Sequence, residues 1–184
     1  MGKRIIFATL LGAIVAFAWG FASWSLLKWH TPKTFENSTE LARVIQQNSD
    51  GHGMYIIPPP TEDGDPDNAA IENGPFVYAT VRPGKIDSWA MWEPMALNFV
   101  VNLFLAMLIA TLMAKRSHYR SKVLVGTAFG LFAGITASMP QMIWMELPKA
   151  EATARLCDPL IAWTLASLVM ALIVKKPKRR IFSS

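Results

Sequence analysis

Apolar residues in this chain gather into four runs, 5–27, 95–114, 123–145 and 157–174, with polar stretches between them. A helix needs about 20 mainly apolar residues to cross a bilayer. The first three runs reach that length. The fourth is short and would span with little tilt or with local thinning of the bilayer. The pattern predicts an all-α membrane protein with four transmembrane helices.

The polar segment 28–94 is too long for a simple turn. Asn37-Ser38-Thr39-Glu40 has the form of a helix start, with Glu40 placed for a capping box from Asn37. Leu41, Val44 and Ile45 then share one helical face, and Asp50-Gly51-His52-Gly53 ends the helix. Residues 54–57 and 76–82 read as short strands, stopped by Pro58-Pro59-Pro60 and by Pro83-Gly84. The acidic stretch 61–73 between them reads as a loop. This small α/β insert is too small to hold a sizeable core alone, so it is expected to rest on the helix ends. The expected organisation is an N-terminal helix over 1–27, an α/β extracytoplasmic cap over 28–94, a three-helix region over 95–174 and a basic tail over 175–184.

Charge orients the helices. All 13 acidic residues fall within 28–94, within 146–156, or at Asp158. The segments 1–4, 115–122 and 175–184 together hold 11 Lys or Arg in 22 residues and no acid. Basic residues beside membrane spans stay cytoplasmic, so both termini are placed inside. Tryptophan favours the headgroup level, and Trp24, Trp29, Trp89, Trp92 and Trp144 flank the outer ends, with Trp19 and Trp163 in outer halves. The first run also fits a signal peptide, with Lys3-Arg4 before it and Ala16-Phe17-Ala18 inside it. Its apolar length exceeds a usual signal core and favours a retained anchor.

The net charge of +5 does not indicate nucleic acid, because no aromatic platform or basic face accompanies the basic runs. The tail Lys175-Lys176-Pro177-Lys178-Arg179-Arg180 instead suits anionic lipid. The single cysteine, Cys157, excludes an intramolecular disulfide and reads as a packing residue.

Small residues mark helix contacts. Ala8, Gly12, Ala16 and Gly20 recur every four residues in the first run, as do Gly126, Gly130, Gly134 and Ser138 in the third. That spacing sets them on one face, where backbones approach closely. Whether the partner helix belongs to this chain or another is not legible.

Asn98 and Asn102 share a face of the second run, and Gln141 joins the small face of the third. Opposite chain directions place Asn98 and Gln141 at similar depth. An unpaired amide in hydrocarbon is costly, so a shared outer polar pocket of Asn98, Asn102, Gln141 and Asp158 is expected, as structural glue or as a ligand path. Asp158 before Pro159 also reads as a helix opening, Asp at the N-cap and Pro in the first turn. Pro140 is expected to kink the third helix.

Other chemistry is weak. His30, His52 and His118 show no ligand spacing for zinc. Met139, Met142 and Met145 drift around a helix and make a poor copper site. Asp63, Asp65 and Asp67 open like a calcium loop, but Asn68 and Gly74 stand where Gly and Glu are needed. Phosphate-loop, nucleophile-elbow, dinucleotide and zinc-protease motifs are absent from the sequence. No cofactor and no enzymatic activity are expected.

Gly53-Met54-Tyr55-Ile56-Ile57-Pro58, then Gly74-Pro75-Phe76-Val77, then helices carrying Asn98 and the Gly-rich face, resemble a family of small, uncharacterised bacterial inner-membrane proteins. The resemblance covers most of 50–175. It implies a bacterial inner membrane and supplies no activity. The resulting expectation is a non-catalytic accessory or structural subunit that packs against other membrane subunits or against itself. A small transporter or sensor using the Asn98, Asn102 and Gln141 pocket is the alternative, and an enzyme completed by partner residues the third.

Overall fold

The structure is a computed structural model and describes residues 2–30, 32–85 and 91–175. The elements in chain order are α1 (Gly2–Ser25), α2 (Ser38–Asn48), β1 (Gly53–Ile57), α3 (Asn68–Asn73), β2 (Val77–Val81), α4 (Trp92–Met113), α5 (Tyr119–Trp144) and α6 (Lys149–Ile173). They form two compact units, a helix unit built from α1, α4, α5 and α6, and an insert over 32–88. Trp89 and the basic tail beyond Lys175 lie outside the described residues.

Helices α1, α4, α5 and α6 are each long and apolar enough to cross a membrane. Within their unit, α1 packs against α4 and α6, and α6 packs against α1 and most extensively against α5. The α4–α5 contact is slight. The core is made mainly of small residues: Ala8, Ala13, Ala106, Ala110, Ala166 and Ala171 are buried, with Ile109, Met113 and Met170 filling between them. The large apolar side chains point the other way. Phe7, Phe21, Leu97, Phe104, Phe132 and Leu172 are exposed.

The tightest seam joins α5 to α6. A Cβ built on Gly126 would lie 3.0 Å from the Trp163 carbonyl oxygen, one on Gly130 2.4 Å from that of Pro159, and one on Gly134 2.4 Å from that of Leu156. Only glycine lets the backbones meet at that distance. Ser138 continues the face, buried, its hydroxyl donating to the Gly134 carbonyl (2.6 Å). On α1 the small face divides. Gly12 faces Met170, and Ala16 is buried, but a Cβ on Gly20 would meet nothing within 4 Å.

The far ends of this seam are tied by polar groups. Lys122, the last residue of the basic segment 115–122, is buried, and its Nζ donates to the Val174 carbonyl (2.5 Å). A cation there suits the exposed carbonyls that end a helix. The Tyr119 hydroxyl donates to the Leu168 carbonyl (3.0 Å).

Helix α6 starts eight residues before the fourth apolar run, at Lys149, with Pro148 as its N-cap. Asp158 is therefore inside the helix and caps nothing, which corrects the reading of Asp158-Pro159 as a helix opening. The polar segment 149–156 is helical because its Ala, Glu, Arg and Leu are strong helix formers, and Pro148 closes the preceding turn. The short-span expectation falls with it, since α6 has 25 residues.

In the insert, β1 and β2 pair antiparallel, with Gly53 opposite Val81 and Ile57 opposite Val77. Asn37 Oδ1 accepts the Glu40 amide (3.2 Å) and opens α2. The other half of the capping box does not form. The Glu40 carboxylate turns to Arg43 instead (Nη2–Oε1 2.5 Å, Nε–Oε2 3.0 Å), which holds the Glu40 carboxyl below its usual range. The expected acidic loop contains α3, whose first turn is capped by Asp67 Oδ1 on the Ala70 amide (3.0 Å). No described residue of the insert is buried.

Candidate functional site

A closed polar network stands at the end of the helix unit where α1 finishes and α6 begins. Its centre is His30. After α1, the Leu26 and Leu27 amides both bond the Ala22 carbonyl (2.8 and 3.2 Å), and Lys28 adopts φ 52°. A left-handed residue here reverses the chain, so Trp29 and His30 fold back against the helix they follow. Trp29 Nε1 donates to Ser23 Oγ (2.8 Å), and the Trp24 ring stacks on the imidazole at 4.0 Å and 7°.

The His30 ring is 1% exposed and sits between two carboxylates of α6. Nε2 is 2.8 Å from Asp158 Oδ2, and Nδ1 is 3.2 Å from Glu151 Oε1. Asp158 Oδ1 accepts from Ser23 Oγ (2.5 Å) and from Trp19 Nε1 (3.2 Å). Glu151 Oε1 also accepts from Arg155 Nε (2.7 Å), and Arg155 Nη1 donates to Gln141 Oε1 (2.8 Å). The chain of contacts thus runs from α1 through the turn and α6 to the end of α5.

Proton counting constrains the centre. An ionised carboxylate only accepts hydrogen bonds. Both imidazole nitrogens face carboxylate oxygens, so both contacts are satisfied only with a proton in each. That means an imidazolium between two carboxylates, or a neutral ring with one carboxylic acid. With Arg155, the imidazolium form balances two cations against two anions.

The residues expected to share a pocket are divided by the structure. Asp158 and Gln141 both belong to the network, linked through His30, Glu151 and Arg155. Gln141 is exposed and bonds Arg155. Asn98 is exposed and Asn102 half-buried on α4, and neither makes a hydrogen bond among the described residues. Among the described residues of the expected belt, Trp19 and Trp29 are engaged in the network and Trp163 is in the core, Trp24 stacks on His30 yet stays exposed, and Trp92 and Trp144 are exposed. Among the described residues, no group of three or more His, Cys, Asp or Glu is arranged to hold a metal ion.

Sequence reasoning missed His30, Ser23, Glu151 and Arg155. A signal existed. Glu151, Arg155 and Asp158 follow the i, i+4, i+7 spacing of one helix face. Starting the last helix at the apolar run placed Glu151 and Arg155 in a loop and hid that face. Comparison with protein-family models, curated proteins and solved structures gives no match to this chain.

Proposed function

We propose that this chain is an integral protein of a bacterial inner membrane, with both termini cytoplasmic and the insert outside, acting as a non-catalytic accessory or structural subunit beside other membrane proteins or further copies of itself. Small residues inside and large apolar residues outside are the arrangement expected when lipid is the solvent, since the bilayer does not penalise exposed Leu and Phe. The basic segments and the resemblance over 50–175 support the membrane and its sidedness.

The observation that carries the subunit role is the face of α4. Asn98 projects from it among exposed Leu97, Val101 and Met95, with no hydrogen bond among the described residues. An amide at that place gains a partner when another helix packs there. The glycine face of α5 is used within the chain and is closed to a neighbour, whereas the Asn98 face of α4 is open. The test is the mass and composition of the complex after mild detergent extraction from native membranes, for the natural chain and for Asn98→Ala with Asn102→Ala. Co-purification with other membrane subunits, or a homo-oligomer, is expected, and the double variant should stay folded and lose it. A partner-free monomer would end this reading.

A sensor is the second reading, favoured by His30. The groups facing it are Asp158 and Glu151, with Arg155 behind Glu151. A partner complex whose assembly shifts with external pH, and no longer does so in His30→Gln, would favour this role over a plain brace.

A further inference from the structure

At the other end of the helix unit, α4 and α5 separate and leave an open cleft of about 710 Å³. Its mouth carries Lys115, Arg116 and Ser121, and its walls are apolar, with Leu112, Leu124 and Phe129 among them. The two cations are exposed and have no carboxylate at hand. Between Glu93 and Glu146 the sequence contains no acidic residue, and no ion pair to Lys115 or Arg116 exists among the described residues. Lys122, by contrast, is withdrawn from this surface by its bond to Val174. Helix α5 also begins without a side-chain cap, which leaves positive helix-end potential near the mouth.

An occupant that completes this cleft brings negative charge at one end and hydrocarbon at the other. We propose that it is a binding site for an anionic phospholipid, the phosphate against Lys115, Arg116 and Ser121 and an acyl chain along Leu112, Leu124 and Phe129. The proposal rests on the membrane reading above, which puts this end at the cytoplasmic leaflet. Basic pockets between spanning helices on that side suit such head groups. The cleft volume is in the range of small-molecule sites, enough for a head group and the start of a chain. A soluble anion would use the mouth and leave the apolar walls in water. A lipid covers both.

The test is native mass spectrometry of the delipidated full chain in detergent, titrated with phosphatidylglycerol and phosphatidylcholine of equal chain length. We expect phosphatidylglycerol to be retained with a preference of about thirtyfold, the scale set by two basic side chains. Lys115→Gln with Arg116→Gln should bring the two lipids to parity. Ala128→Trp, which fills the cleft and keeps the charges, should remove the retained lipid. Leu124 is 65% exposed, so Leu124→Trp blocks the same space without disturbing the core and should act alike. Equal retention of both lipids by the natural chain would overturn the site. So would full retention in both blocking variants, which indicates a diffuse basic surface, or displacement by an equal concentration of inorganic phosphate, which indicates a bare anion site. The adducts are counted in detergent, so these failures leave the membrane reading standing. Release of the chain by alkaline carbonate washing of membranes would sink that reading separately.

Discussion

In the helix unit, the contacts that matter join residues far apart in sequence: Gly130 with Pro159, His30 with Asp158, Lys122 with Val174. In the insert, apart from one hairpin, they join residues within five positions: Asn37 with Glu40, Asp67 with Ala70, and the Tyr55 hydroxyl with Asp50 Oδ1 at 2.7 Å. The first unit buries a core and the second buries no described residue. A two-stranded hairpin with short helices is marginal by itself. The difference teaches what each unit cannot tolerate. The α5–α6 seam has no room for added atoms, while the insert depends on a few local caps and, among the described residues, one ion pair.

The largest expected effect is therefore from filling the α5–α6 seam. Gly130→Leu drives a side chain into the Pro159 backbone, which neither helix can yield without separating. Overpacking of this kind costs about 1–3 kcal/mol, at the upper end when backbone is the obstacle. Amide exchange should quicken along α5 and α6 and stay unchanged in α2. Gly20→Ala, facing open space, is the matched control. Equal tolerance of the two substitutions would break the comparison.

Next comes the network. His30→Ala leaves Asp158 and Glu151, 17% and 20% exposed, without the group between them. Removing one partner of a buried ion pair costs about 3–5 kcal/mol, and the partial solvent access here argues for about 2–3 kcal/mol. Adding Asp158→Asn should recover part of the loss by removing the unpaired charge, a coupling that a double-mutant cycle of thermal unfolding reads directly. Strictly additive losses would mean that the two side chains act independently.

The smallest effect belongs to the insert. Arg43 holds the Glu40 carboxyl below its usual value, so the pair supports α2 fully above about pH 4.3, the ordinary glutamate value. That support is lost as pH falls through the lowered folded value. Exchange protection over α2 should decline on acidification, and Arg43→Gln should remove the decline. Protection that is unchanged down to about pH 2 in the natural chain would show that the pair contributes nothing to α2.

How much of this was written in the sequence depends on range. Four apolar runs place four long helices, and Asn37, the strand boundaries near 54–57 and 76–82, and the glycine spacing of α5 are all local patterns. The start of α6 was overlooked, because Lys149, Glu151, Thr153 and Arg155 alternate with Ala and Leu there and an apolar-run criterion stops at the first charge. Helix α3 was missed because six residues are too few for a period to show. The partner of the Gly126 face, and the meeting of His30 with residues more than 120 positions later, are tertiary facts with no local trace. Asn98 and Gln141 illustrate the opposite error. Equal depth suggested a pair, yet depth carries no information about which helices are neighbours.

Helix α6 is the element that α1, α5 and His30 all require, and it is synthesised after every one of them. A ribosome that has released α1, α4 and α5 has produced helices of which α1 and α4 can already pair, while the faces that α1 and α5 turn to α6 still wait. The glycine stripe of α5 is then open, and His30 has neither carboxylate. Completion of α6 closes both at once. A truncated product ending before Lys149 would thus leave the glycine face of α5 uncovered and His30 without Glu151 and Asp158.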